Sequence, residues 1–253
     1  MSAAAVRQAW SATEPAEKCR LTAALKPLEA VPQVLDLEQS PGRPAQPELV
    51  HPSAVPKRGL GQPAGRAALL HAVAHIEFNA INLALDAVLR FGPEMPLAFS
   101  QDWLSVAQDE ARHYLMLEQR LQAHGLAYGD LSAHNGLWEA AEKTAHDVLA
   151  RMALVPRVLE ARGLDVTPGM ISRLRAVGAT AEVQLLEQIL AEEVRHVQIG
   201  TYWYSSLCAQ RGLDRVRTFH QLLAELMPGR VPVGPFNEQA RAEAGFLPEE
   251  YRF

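Results

Sequence analysis

Beyond Gly65, apolar residues recur every three or four positions, the period that lines up one side of a helix. The pattern predicts four long helices, at about 66 to 91, 97 to 124, 137 to 162 and 170 to 211, and a shorter one at about 213 to 227. Gly92-Pro93 is expected to close the first, Gly125 the second and Gly163 the third, because these residue types end helices. Pro156 falls inside the third, where it removes a backbone hydrogen bond and bends the axis.

The flanks read differently. Residues 1 to about 30 suit one or two short helices, with Ser11 or Thr13 as a start signal and Pro15 in a first turn. From Pro32 to Pro63 the prolines, with Gly42, Gly59 and Gly61, forbid long helices and suggest an extended strap. After Met227 another Pro/Gly run leads into a tail with room for a helical turn around Glu238 to Ala244. The expected organisation is therefore all-α: residues 1–64 as N-terminal helices and strap, 65–227 as a four-helix bundle with a fifth helix, and 228–253 as a tail packed on it.

Carboxylates interrupt the apolar stripes. Glu77 shares a face with Val73, Ala74, Ala80, Ile81, Ala84 and Val88. On the second helix Glu110 and His113 fall on the stripe of Trp103, Val106, Tyr114, Leu117 and Leu121. The fourth helix repeats this with Glu193 and His196 among Leu186, Ile189, Leu190, Val197 and Tyr204. An unpaired buried carboxylate costs several kcal/mol, so these positions call for partners, and divalent cations supply them.

Glu-x-x-His suits this role because residues three apart share a helix face, so an oxygen and an imidazole nitrogen converge on one ion. Two such pairs serve two ions when each remaining helix adds a Glu, and Glu77 and Glu160 fill those places. Glu77 to Glu110 and Glu160 to Glu193 are each thirty-three positions, which implies two similar hairpins. Four carboxylates with neutral histidines also balance two divalent ions, and the oxygen and nitrogen donors suit iron or manganese better than a structural zinc cage.

Competing readings are blander. The six residues could be satisfied core polar groups, and Glu160 could belong to a surface ion-pair cluster with Arg157 and Arg162. Glu182 and Glu192 are candidates for neighbouring roles. Glu48-Leu-Val-His51 has the same spacing without a stripe and reads as incidental. His71 and His75 suit capping or hydrogen bonding, and Arg112 and Arg195 suit surface pairs with Asp109 and Glu192. Tyr114, Trp103, Tyr202 and Tyr204 read as core, with a substrate pocket as the alternative.

Composition narrows the function classes. A net charge of -5 lacks the basic excess of a broad nucleic-acid grip. Two cysteines, Cys19 and Cys208, without metal-type spacing point to buried thiols in a reducing compartment. Arg7, Glu14, Glu17 and Lys18 break up any signal-peptide core, and no stretch is expected to span a membrane, so a cytoplasmic location is expected.

The strings Asp109-Glu110-Ala111-Arg112-His113 and Glu192-Glu193-Val194-Arg195-His196 resemble the paired metal motifs of the ferritin-like superfamily over residues 66 to 212. His75-Ile76-Glu77, the run from Arg151 through Glu160 to Asp165, and Pro235-Phe236-Asn237 resemble an uncharacterised bacterial ferritin-like family, domain of unknown function 455. The helix pattern is also similar to that of the non-haem di-iron hydroxylases acting on a modified tRNA base. These resemblances imply a ferritin-like four-helix bundle that activates oxygen, with a tail covering the site entrance.

The leading expectation is a di-iron oxidoreductase or hydroxylase. Glu77, Glu110, His113, Glu160, Glu193 and His196 would hold two divalent ions, iron or alternatively manganese, and the reactants would be dioxygen and a small or nucleobase-like substrate. No acid, base or nucleophile is assigned. A metal-handling or iron-storage protein and a metal-free helical interaction module are the alternatives. No membrane partner is expected, and a homodimer is compatible with the pattern.

Overall fold

The computed structural model describes residues 3–32, 37, 40–55 and 59–252. The regular structure of these residues is helical, and among them the only extended pairing is one parallel bridge between Leu49 and Ala133. The all-α expectation stands at that level. The chain divides into two compact units, Met1–Trp138 and Glu139–Phe253.

In the first unit, α1 (Ala3–Ser11) and α2 (Pro15–Ala23) precede two long helices, α3 (Pro63–Phe91) and α4 (Leu97–Gln122). Proline opens both α2 and α3, where its missing N–H would have had no helical partner in any case. Helices α3 and α4 pack as a hairpin, with α1 against α3 and α2 against α4. Much of their buried surface is apolar: Leu70, Ala74, Phe78, Ile81 and Val88 of α3 are buried, as are Phe99, Trp103, Val106, Tyr114 and Leu117 of α4. Each fully buried side chain of this kind contributes on the order of 2 kcal/mol.

Lys18 is fully buried. Its Nζ donates to the Ala9 and Trp10 carbonyls at 3.1 and 2.6 Å, joining the Ala12 and Gly42 N–H groups at the end of α1, and burial pushes its pKa down to about 7. In the strap, Glu48 and Val50 bond Ala133, and His51 caps a short turn by accepting from the Ser53 N–H. Glu48-Leu-Val-His51 is thus spent locally. Residues 33–36, 38–39 and 56–58 of the expected strap lie outside the described residues.

Contrary to the sequence expectation, one segment, Pro63–Glu94, is long and apolar enough to cross a membrane. Its most apolar window is 78% buried inside the protein, as in a core helix. Cys19 and Cys208 are buried free thiols, and burial pushes Cys19 up to about 12.

Helix α5 (Gly136–Lys143) runs across the division into the second unit. There α6 (Val148–Leu154) starts where Asp147 caps the Leu149 N–H, and it continues through a π-helical turn, Val155–Glu160, into α7 (Ala161–Ala176). The unit is completed by α8 (Thr180–Gln210), α9 (Arg215–Leu226), α10 (Glu238–Glu243) and α11 (Pro248–Tyr251).

Two expected boundaries are therefore wrong. The helix does not end at Gly163, and the next begins at Thr180, not near 170. Gly163 has no positive φ, and the stripe of Leu164, Ile171 and Leu174 continues to be buried beyond it. The true stop is Gly178, at φ +70°, where a side chain would be strained. The span expected as one helix from 137 is also broken, between Lys143 and Val148.

Helix α7 tolerates Pro168 in its interior because its cost is met from outside. A proline cannot bond the carbonyl four residues earlier, and the Leu164 oxygen instead accepts from Asn237 Nδ2 at 3.2 Å. The tail docks here: Asp165 accepts from the Asn237 N–H and takes two bonds from Arg241. Ala240, Ala244, Phe246 and Tyr251 share an apolar cluster with Ala161, Leu164 and Val197.

Candidate metal centre

Helices α3 and α4 each turn a carboxylate inward at the expected register. Glu77, Glu110 and His113 are 5%, 1% and 0% exposed, so all three side chains are withdrawn from water. His113 Nδ1 lies 3.1 Å from Glu77 Oε2 and 3.5 Å from Glu110 Oε2. Each residue offers one ligand atom, and these lie within 4.8 Å of one another. One ring nitrogen facing two carboxylate oxygens can hold them together through its own proton or by sharing a cation with them. Two acids this close in a poorly hydrated pocket repel unless positive charge or a proton lies between them. The donor set of two carboxylates and an imidazole is one that iron or manganese accepts.

In the second unit, Glu193 and His196 occupy the same two places on α8. His196 is fully buried, with Nδ1 3.3 Å from Glu193 Oε1, while the Glu193 side chain keeps 14% of its surface open. Glu160, the sixth residue, is the half-buried last residue of the π turn. The structure thus gathers Glu77 with Glu110 and His113 in one unit, and Glu193 with His196 in the other.

The π turn answers the question Pro156 posed. Lacking an N–H, Pro156 cannot serve the α-helical pattern, and the chain takes a wider turn in which the Ala161 N–H bonds the Pro156 carbonyl five residues back. Pro156 lies against Gly200, one turn beyond His196 on α8. A Cβ added at Gly200 would fall 2.2 and 2.4 Å from Pro156 Cβ and Cγ, an approach only glycine allows.

Arg157 does not belong to a surface ion-pair cluster with Glu160. It is 1% exposed, and its Nη2 sits 2.7 Å from Glu250 Oε1. The guanidinium lies 4.2 Å from the Tyr204 and Phe219 ring centres and 4.6 Å from that of Phe246. Burial pushes Arg157 down to about 10, so it remains a cation at neutral pH. Burial also pushes Glu250 up, but bonds from Arg215, the Arg157 charge and the Leu247 N–H outweigh it and hold that carboxyl below its usual range. Nothing in the local pattern around Arg157 marked it as buried, because its partner is in the tail.

His75 bonds Tyr128 Oη at 2.9 Å and the His134 carbonyl at 3.0 Å, and His71 Nε2 accepts from the Gly129 N–H at 3.0 Å. Both are hydrogen-bonding histidines, and burial lowers both pKa values, that of His75 to about 4. Arg112 pairs with Asp109 at 2.9 Å. Trp103, Tyr114 and Tyr204 are core, whereas Tyr202 is exposed. Glu182 is buried in the first turn of α8.

An all-helical chain with inward Glu/His clusters in both of its units defines a class before it defines a family. The family described as Protein of unknown function (DUF455) matches residues 4–252, and the chain belongs to it. It is similar to an "Uncharacterized protein" of Haemophilus influenzae, 44% identical over 263 aligned positions covering 97% of this chain and 90% of that one. No solved structure matches the chain.

Proposed function

We propose that this protein is a dinuclear metal–carboxylate oxidoreductase of the ferritin-like kind, cytoplasmic, with iron as its metal. Glu77, Glu110 and His113 of the first unit and Glu160, Glu193 and His196 of the second would hold the ions. The observation that carries the reading is the burial of Glu77, Glu110 and His113 with donor atoms within 4.8 Å. Repetition of Glu-x-x-His on α8, with His196 again buried, supports a second ion.

When bound, the metals would supply dioxygen activation for hydroxylation or a related two-electron oxidation of a small or nucleobase-like substrate. The chain's own residues bind and orient: the carboxylates balance the ionic charge, and the stripes around them exclude water from the ligand atoms. A metal-handling role without an organic substrate is the second reading, and it shares the same ligands.

Elemental analysis of protein purified without added metal tests the proposal. Two iron or manganese ions per chain are expected, with loss of most bound metal in Glu110→Ala and His113→Ala variants that keep their helical circular dichroism. Wild-type protein that takes up neither ion from solution overturns it.

A further inference from the structure

The two halves of the proposed site are not equally supported by their own helices. Glu77 and Glu110 stand on uninterrupted α-helix. Glu160 ends a π turn that begins beside a proline, and a π turn is wider and less well bonded than α-helix. Left to itself, such a turn can relax to α-helix, which would rotate every later side chain about the axis. Something outside must fix it.

Arg157, three residues before Glu160, lies against three aromatic rings and reaches Glu250 with its tip. Glu250 is itself fixed: Arg215 gives it two bonds of 2.7 Å, the Leu247 N–H a third of 2.8 Å, and the residue is fully buried in α11. The chain of contact therefore runs from the C-terminal helix through one guanidinium to the backbone of the turn. Stability alone is weak justification for a buried ion pair, since apolar residues of similar size often serve as well. Its distinctive contribution is direction: a guanidinium held by a carboxylate sets where its own backbone lies.

We propose that Glu250 is a positioning residue for the second half of the metal site, acting through Arg157 to hold the π turn in the register that presents Glu160 to a metal ion. This rests on the metal reading above. Glu250 touches no ion itself; it fixes the residue that does.

The test uses the full-length chain stripped of metal and titrated with manganese(II), read by equilibrium dialysis and by electron paramagnetic resonance. Wild type is expected to take two ions. Glu250→Gln keeps the shape but removes the charge, and is expected to weaken one ion by about tenfold or more while leaving the other unchanged, the scale of outer-sphere changes at metal sites. In a Glu160→Gln background the same change is expected to cost nothing further, because the ligand it positions is already gone. A general loss of structure would instead subtract equally in both backgrounds.

Arg157→Met with Glu250→Leu replaces the pair by apolar residues, keeps the fold if Glu250→Gln does not, and is expected to show the same selective loss. Arg241→Gln, which cuts a different tail anchor, is expected to leave both ions in place. Wild-type binding in Glu250→Gln or in the double variant, or an equal loss with and without Glu160, overturns the proposal. Failure of wild type to bind manganese(II) overturns the metal reading itself, and this proposal with it.

Discussion

The Glu-x-x-His pairs on α4 and α8 are chemically the same and differ in how they are held. On α4, Glu110 and His113 face Glu77 across a regular hairpin, and continuous apolar stripes on both helices set the register. On α8, Glu193 and His196 belong to a unit whose neighbouring helix carries a π turn, Pro156 and Pro168, and whose geometry is completed by the tail. A repeated motif thus fixes the donors without fixing the means of aiming them. Regular packing surrounds the pair in one unit; in the other, the helix packed against α8 is held by a glycine contact, a buried ion pair and a docked tail.

The sharpest way to break this contrast is at Gly200. Gly200→Ala drives a methyl into the Pro156 ring, which has no rotamer to escape by, and is expected to destabilise the second unit by about 2–3 kcal/mol. Urea unfolding followed by circular dichroism measures it; an unchanged midpoint would mean the turn is not held against α8.

A smaller effect tests the tail. Asn237→Ala should cost about 1–2 kcal/mol by withdrawing a donor from the Leu164 carbonyl and the cap its Oδ1 gives the Ala240 N–H. In a Pro168→Ala background the helix regains its own N–H, and the Asn237 substitution should then cost measurably less. Additive losses in that double-mutant cycle would separate the two features.

The smallest expected effect lies in the first unit and depends on pH. His71 accepts a backbone N–H, which requires a neutral Nε2, and burial lowers its pKa below the ordinary 6.5. The unfolded chain therefore binds the proton more readily. The stabilisation is complete above pH 6.5 and is lost as pH falls toward the lowered folded value. Unfolding midpoints between pH 7.5 and about 5 should fall in wild type and fall less in His71→Gln, where His75, lowered to about 4, still titrates with the same sign.

What the sequence revealed follows the same division. Period and stripe located α3 and α4 and turned Glu77, Glu110 and His113 to one side, because regular helices obey the period from which they were read. Around Glu160 the period fails. Gly163 reads as a stop, yet α7 runs through it and through Pro168, since Leu164 and Ile171 bury its face and Asn237 replaces the missing donor. Arg157 reads as a surface cation because the acid that neutralises it is ninety-three positions away. Gly178, the true stop, differs from Gly163 in its backbone angle, which the residue type does not show.

The Leu164 oxygen carries a consequence for the order of assembly. Its donor is seventy-three residues downstream, whereas every turn of the α3–α4 hairpin closes with near neighbours. An α7 that forms first keeps that carbonyl bonded to water until the distant segment docks. In pulse-labelled hydrogen exchange, amides of residues 237–251 should become protected last, and a chain shortened before Asn237 should leave α7 frayed from Leu164 onward.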